Sequence, residues 1–412
     1  MLKPLENIRI LDFTQFLAGN WCSVTLSGLG AECIKIERPG TGDPARATPP
    51  FSNEDGEVSL ARTSPDDLAL AIIKRCRNKK GITLNIQTKE GQEIFWKLLE
   101  EADVVVENFK PGVMEKCGLT WEKMHAANPK VIYCSINGFG EIDAYKSMPA
   151  FDIVIQAMTG AMYGTGFPDG PPLKNGIGIA DQGAGLYGTI GILAALIQRE
   201  KTGLGQKVGA SMMEAVLSLF MDENIDFWEN MQGLTYRSGN RLTRMTPFNC
   251  YKAKDGYFVI ASGGDHHWKK ILEAAGRQDL LDDDRYDLLP KRVAAADECD
   301  AIVQAWADTI TVVDACTALE KGGVPNAPVR TPQQVWADKN LWDYGAFVDL
   351  YTPDGTKVEG ITGTGFPIRM SACDLTYDKP APHLGENNDE FYKGLLKLSD
   401  AKLADLKAKG AI

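Results

Sequence analysis

Histidine is scarce: the 412 residues contain four, at positions 125, 266, 267 and 383. Only His266 and His267 are neighbours, and no other ligand type falls at a suitable spacing, so no metal centre is expected. Paired cysteines are missing. The nine cysteines form an odd, scattered set without a CxxC, which argues against a disulfide framework and for reduced thiols in a cytoplasmic protein. Met1–Glu6 leads into a strand-like run without a signal-peptide pattern. No apolar stretch reaches membrane-spanning length. Two phosphate-binding signatures are also absent. No GxGxxG follows the first strand, which weakens a NAD(P) reading, and no GxxxxGK[ST] supports a nucleotide-dependent ligase. Basic residues are outnumbered, 44 Lys and Arg against 55 Asp and Glu, for a net charge of −11. Broad binding to nucleic acid or to an anionic membrane is therefore not expected, although a local basic pocket for an anionic cofactor is compatible with that balance.

The composition that remains is that of a globular protein, 44% hydrophobic and 24% charged, and the length predicts two or three domains. Ile8–Phe13 alternates as a strand, Gln15–Gly30 reads as a helix rich in small residues, and Ala31–Glu37 as a second strand. This βαβ start predicts a parallel, doubly wound sheet. Further strands are expected at Gly81–Ile86, Val104–Glu107 and Val131–Ile136, with an amphipathic helix at Lys89–Glu101. Arg75, Arg77, Lys79 and Lys80 form a basic run that reads either as a solvated face or as an attractor of phosphate. Met212–Trp228 reads as one long apolar helix. Leu234–Pro247 is polar and basic. Phe248–Tyr251 and Tyr257–Ser262 flank a hairpin signal, and helical patterns follow, which together predict a smaller α+β domain.

The stretch Lys174–Val208 organises the chain. Asp181 follows a glycine-punctuated segment expected to be extended, and Leu186, Ile190, Leu193 and Ile197 recur behind it at helical spacing. Lys201-Thr202-Gly203 supplies a cation and a glycine stop. A carboxylate where a helix begins is expected to stay ionised, beside N–H groups that stabilise an oxyanion. Gly183 and Gly185 leave the backbone bare, either for close approach of a ligand or for tight helix packing. An aspartate there also serves as an ordinary helix cap.

These residues resemble the nucleophile segment of class III CoA-transferases: an aspartate, a nearby glycine, a long apolar helix and a KTGxGQxV tail, here Lys201–Val208. Further family-like segments follow the family's order: LDFTQFLAG (Leu11–Gly19), GAECIKIERPGTGD (Gly30–Asp43), NKKGITLNI (Asn78–Ile86), ADVVVENFKPGVMEKCGL (Ala102–Leu119), PAFDIVIQAMTG (Pro149–Gly160) and PHLGENNDE (Pro382–Glu390). The resemblance implies an α/β fold, with a large Rossmann-like domain built from both chain ends and a smaller α+β domain. The expected division is 1–215 for the large domain, 216–247 for a linker helix and crossing segment, 248–325 for the small domain and 326–412 for the return. It also implies an interlocked homodimer.

The implied chemistry moves CoA from an acyl-CoA donor to a carboxylic acid acceptor through Asp181, with the CoA thioester as substrate and no tightly bound cofactor. CoA contacts carry over to Ala18, Arg38, Leu84, Asn85, Asn108, Phe109 and Lys110. Lys116 stands where the family motif has an arginine, so the charge survives but a bidentate fork does not. Leu17, Phe151 and Asp152 are placed beside the acid. Positions that carry glutamine and tyrosines in oxalate-using relatives read Leu17, Phe151 and Ala71 here. The expectation is therefore a less polar monocarboxylate, such as a 2-hydroxy, enoic or carnitine-like acid, rather than oxalate. The racemase branch of the same fold places a histidine where this chain has Phe151, and phenylalanine carries no proton for 2-methylacyl-CoA epimerisation. A non-catalytic CoA-binding role is the remaining alternative.

Overall fold

The computed structural model describes residues 2–146, 148–231 and 236–412. Two compact units divide the chain. The larger holds Met1–Thr159, Asn175–Phe220 and Asn340–Ile412; the smaller holds Gly160–Lys174 and Met221–Lys339.

The larger unit is built on six parallel strands. In chain order the elements that frame this sheet include β1 (Arg9–Asp12), α1 (Ala18–Gly28), β2 (Glu32–Glu37), α2 (Leu70–Arg75), β3 (Lys79–Thr83), α3 (Lys89–Glu100), β4 (Val104–Glu107), β5 (Ile132–Asn137), α4 (Asp152–Met158), α5 (Ile179–Thr202), β6 (Lys207–Ser211) and α6 (Met212–Phe220). The strand order is β3-β2-β1-β4-β5-β6, and every neighbouring pair is parallel. The order reverses between β1 and β4, so the connections diverge there and open a crevice at the strands' carboxyl ends. Val104, Val105 and Val106 are fully buried, as a strand covered on both faces requires. Ile94, Phe95, Leu98 and Leu99 of α3 share one core with Leu11, Ile34, Ile82 and Val105. Each such side chain contributes roughly 1.5–3 kcal/mol by leaving water.

The C-terminal residues complete this unit at its outer edge. The Asn387 side chain accepts from the Gly81 N–H at 2.9 Å, and Asn388 accepts from the Thr83 N–H at 2.9 Å. Phe391, Leu406 and Ile412 join the core.

The smaller unit contains an antiparallel sheet of β7 (Phe248–Lys252), β8 (Tyr257–Ala261) and β9 (Asn326–Pro328), with Trp268, Ile271, Val303 and Leu319 in its core. It reaches further than the expected 248–325. Asn326–Pro328 pairs with β8, so the chain returns to the larger unit only at Asn340, and Gly160–Lys174 also belongs here. The long helix expected over Met212–Trp228 stops at Phe220 and passes into a 3-10 turn at Met221–Glu223. The start of the crossing segment at Leu234 lies outside the described residues. No single helix among the described residues is long and apolar enough to cross a membrane.

Candidate active site

Asp181 lies inside the first turn of α5, not ahead of it. The helix begins at Ile179 after Gly178, and Gly178 provides no capping side chain. The extended segment expected through Ala180 is thus replaced by helix. The missing cap comes from α4: Asp152 Oδ1 accepts from the Ala180 N–H at 2.8 Å and from the Asp181 N–H at 3.3 Å. Gln156, one turn on and buried, donates to the other Asp152 oxygen and accepts from the Asn175 N–H at 2.7 Å. Asp152 therefore fastens the start of the helix that carries Asp181, and takes up the N–H groups that would otherwise favour the Asp181 carboxylate.

This arrangement alters the electrostatics foreseen for Asp181. Burial, and then the nearby Asp152 charge, raise the Asp181 carboxyl from its ordinary value to about 6, while Arg75 pulls the other way. Desolvation and a like charge both oppose ionisation. Near neutral pH the carboxylate form still dominates, as expected from the sequence, but burial and Asp152 weaken its acidity and the helix N–H groups go to Asp152 instead.

The helix expected from the spacing of Leu186, Ile190, Leu193 and Ile197 is present, but the stripe is not its buried face. Leu186, Ile190 and Ile197 face outward, at 47%, 58% and 62% exposure, while Gly185, Gly188, Ile192 and Ala195 face inward. A Cβ on Gly185 would stand 2.6 Å from the Ala18 carbonyl, and one on Gly183 would stand 3.4 Å from Ala215. Of the two roles open to these glycines, the structure assigns helix packing to Gly185, whereas a Cβ at Gly183 would make only ordinary contact. That packing presses α5 against α1 and sets Asp181 beside the loop that leaves β1.

That loop, Phe13–Leu17, sits on a buried ionic network. Lys79 pairs with Asp12 at 2.9 Å and Lys35 with Asp43 at 3.0 Å, all four side chains being fully buried. Asn20 joins the pairs, accepting from Lys79 at 2.8 Å and donating to Asp43 at 2.9 Å and to the Phe16 carbonyl at 3.0 Å. Burial works against ionised Asp43, but Lys35 and the Ala45 and Phe16 N–H groups outweigh it and hold the carboxyl at about 2. Phe16 is held in the left-handed region, φ 58°, a conformation that a bulky residue keeps only when its surroundings impose it. The Asn108 side chain grips the preceding residue from both sides, accepting from the Gln15 N–H at 2.6 Å and donating to the Gln15 carbonyl at 2.8 Å.

A cavity of about 440 Å³ opens at this switch point. Leu17, Ala18, Asn108, Phe109, Lys110, Phe151 and Asp181 line it, together with Gln15, Phe16, Met148 and Met212. The structure thus brings seven of the residues singled out from sequence around one space. The Phe151 ring meets the Phe16 ring edge-on at 6.0 Å. Two donors offered from the sequence are already engaged: the Asn108 amide holds Gln15, and the Phe109 N–H donates to Glu107 at 2.7 Å. Arg38 and Lys110 are exposed at the carboxyl ends of β2 and β4, and Lys116 is exposed beyond them; none makes an ion pair among the described residues. Leu84 and Asn85 do not line the cavity. Leu84 is buried in the core, and the Asn85 N–H donates to the Ala411 carbonyl at 2.8 Å. Ala71 packs against the cluster of Ala45, Phe51 and Ile72.

The basic run separates. The strand begins at Lys79 rather than Gly81, which sends Lys79 inward to Asp12 and Lys80 outward to Glu32 and Glu390. Arg77 stacks on Tyr377, 4.1 Å from the ring centre. Arg75 alone of the four acts on Asp181. The sequence reading also passed over Glu107. It is buried beneath the Asn108–Lys110 turn, where desolvation raises its carboxyl to about 7 against hydrogen bonds from Ser135, the Phe109 N–H and Tyr133. Its place as the last, acidic residue of an all-valine strand was the available signal.

The Asp181 carboxylate thus lines a cavity at the switch point of a doubly wound sheet, with Lys110 in the same wall and Arg38 and Lys116 exposed. The chain matches CoA-transferase family III over residues 5–388 and belongs to that family. It is 34% identical over 413 residues to the succinyl-CoA–D-citramalate CoA-transferase of Chloroflexus aurantiacus, covering 100% of this chain and 98% of the relative. It is 34% identical over 387 residues to the succinate–glutarate CoA-transferase of Agrobacterium fabrum, covering 93% and 94%. A CAIB/BAIF family protein from Brucella suis shares the fold with a TM-score of 0.81 at 34% identity, over 96% of this chain and 100% of that one. The protein is a CoA-transferase acting on CoA thioesters and carboxylic acids.

Proposed function

We propose that Asp181 carries the acyl group and then CoA in covalent linkage. The placement of its carboxylate in the wall of the switch-point cavity carries this reading. An Asp181 oxygen attacks the thioester carbonyl, the C–S bond breaks, and CoA thiolate departs to leave a mixed anhydride. The thiolate attacks the Asp181 carbonyl carbon, the donor acid leaves as carboxylate, and an aspartyl-CoA thioester remains. The acceptor carboxylate attacks that thioester and frees the thiolate again. The thiolate then attacks the acceptor's acyl carbon and restores the Asp181 carboxylate. No proton is gained or lost over the cycle. A carboxylate is a weak nucleophile in water, so burial and the raised basicity of Asp181 assist its attack on the thioester.

Ala18, Asn108, Phe109 and Lys110 border the path of the pantetheine arm, with Arg38, Lys110 and Lys116 as the cations for its phosphates. The apolar wall of Leu17, Phe16 and Phe151 favours an acid with a hydrocarbon body over oxalate. Phe151 offers no proton for epimerisation. The working form in this proposal is an interlocked homodimer, supported by the outward apolar face of Leu186, Ile190 and Ile197.

The test is isotope exchange between an acyl-CoA and its free acid without ATP, with hydroxylamine trapping and mass mapping. Asp181→Asn is expected to lose exchange by about 1,000-fold or more and to lose the adduct, consistent with removal of an attacking group. Normal exchange in that variant would refute the proposal.

A further inference from the structure

Glu107 closes β4 in the core and lines a second cavity, of about 450 Å³, behind the Asn108–Lys110 turn. Lys110 stands in the walls of both this cavity and the Asp181 cavity. Three other buried carboxylates each face a cation: Asp12 pairs with Lys79, Asp43 with Lys35 and Glu37 with Arg46. Asp67 faces none but serves its own loop, accepting from the Thr63 and Ser64 N–H groups at 2.6 and 3.0 Å. Glu107 also forms no ion pair among the described residues, and what it serves is the turn. One of its oxygens accepts from the Phe109 N–H at 2.7 Å and the other from the Tyr133 hydroxyl at 3.0 Å. Tyr133 belongs to the adjoining strand β5, so the grip on the turn is anchored in the sheet. A buried carboxyl without a cation is costly to keep, and here it fixes one peptide plane.

That peptide is trans, so its carbonyl points opposite to its N–H. With the Phe109 N–H drawn to Glu107, the Asn108 carbonyl points away from the Glu107 carboxyl, and Asn108 lines the Asp181 cavity. The carbonyl accepts no backbone hydrogen bond among the described residues, whereas the Asn108 side chain is engaged with Gln15. We propose that Glu107 is a positioning residue: it turns the Asn108 carbonyl toward the CoA chain, where the carbonyl accepts from an amide N–H of the pantetheine arm. This rests on the reading that the arm runs beside the turn. A carbonyl suits an uncharged amide donor and offers nothing to a phosphate, so Glu107 acts on the arm of CoA and not on its nucleotide head.

Calorimetry compares binding of CoA with binding of its phosphoadenosine diphosphate head, which lacks the arm. The wild-type protein is expected to bind CoA more tightly. Glu107→Leu, close in size but without an acceptor, is expected to lower the CoA-to-head affinity ratio about tenfold, as for one amide hydrogen bond, and to leave the affinity for the head unchanged. Glu107→Gln keeps an acceptor for the Phe109 N–H and is expected to stay within about threefold of the wild-type ratio. Tyr133→Phe removes the hydroxyl that steadies Glu107; it is expected to lower the ratio about threefold and decides the matter if the leucine variant does not fold. A ratio unchanged in the leucine or phenylalanine variant, or a glutamine variant as weak as the leucine one, would overturn the proposal. A wild-type ratio near one indicts the placement of the arm beside the turn, whereas a high wild-type ratio that Glu107→Leu leaves intact indicts Glu107 alone.

Discussion

Replacing Glu107 by glutamine isolates one buried charge beneath the Asn108–Lys110 turn. The folded protein raises this carboxyl to about 7 from 4.5, chiefly through burial. A folded pKa above the unfolded one means that the native state holds the proton more tightly. Stability is then lost as pH rises from the unfolded to the folded value, and is flat above it. The rise from 4.5 to about 7 corresponds to about 3 kcal/mol at full ionisation, most of which falls between roughly pH 5 and pH 8. Glutamine has no such proton. Its oxygen can accept from the Phe109 N–H, and its amide can donate to the Tyr133 hydroxyl, which turns to accept. The change therefore removes the titration while preserving the contacts seen at 2.7 and 3.0 Å. Urea unfolding of both proteins at one fixed concentration, near pH 5 and near pH 8, measures the difference. Glu107→Gln should gain about 2–3 kcal/mol relative to wild type across that range. A difference that stays flat, or that moves the other way, would refute the assigned shift and the desolvation behind it.

Other perturbations follow from the same geometry. The acylation limb of kcat/KM should rise with pH through about 6 as Asp181 ionises, then level off; Asp152→Asn, which keeps an acceptor on the helix start but removes the charge, should move that limb down by about one pH unit. Lys79→Met strands the Asp12 carboxylate in the core and should cost about 3–5 kcal/mol in denaturant unfolding, with much of the loss recovered when Asp12 is also made apolar. Gly185→Ala puts a methyl group 2.6 Å from the Ala18 carbonyl and should cost about 1–3 kcal/mol while raising KM for the acyl-CoA.

Much of the larger unit is legible in sequence because its strands are short apolar runs and α3 carries one clear buried face. Asp181 itself was found by motif, and Leu17, Phe151 and the Asn108–Lys110 turn arrived with it at one cavity. What was missed depends on distant partners. The helix start before Asp181 is fastened by Asp152, 28 positions upstream, so local capping rules looked for an end in the wrong place. On α5 both faces are apolar, and periodicity alone does not say which one turns inward; the glycines do, because they allow α1 to come close. Lys79 reads as a surface cation until Asp12 and Asn20 are known to lie beneath it. Arg75 stood out from its basic neighbours only once their partners were assigned.

The asparagines that finish the free margin of β3 lie 306 and 305 positions downstream of the residues they serve. A ribosome therefore releases the sheet with an unsealed border, and that border stays unsealed until almost all of the remaining chain has been made. During that interval the strand can pair with other nascent chains, so slow or interrupted synthesis of this protein should favour aggregates over active enzyme.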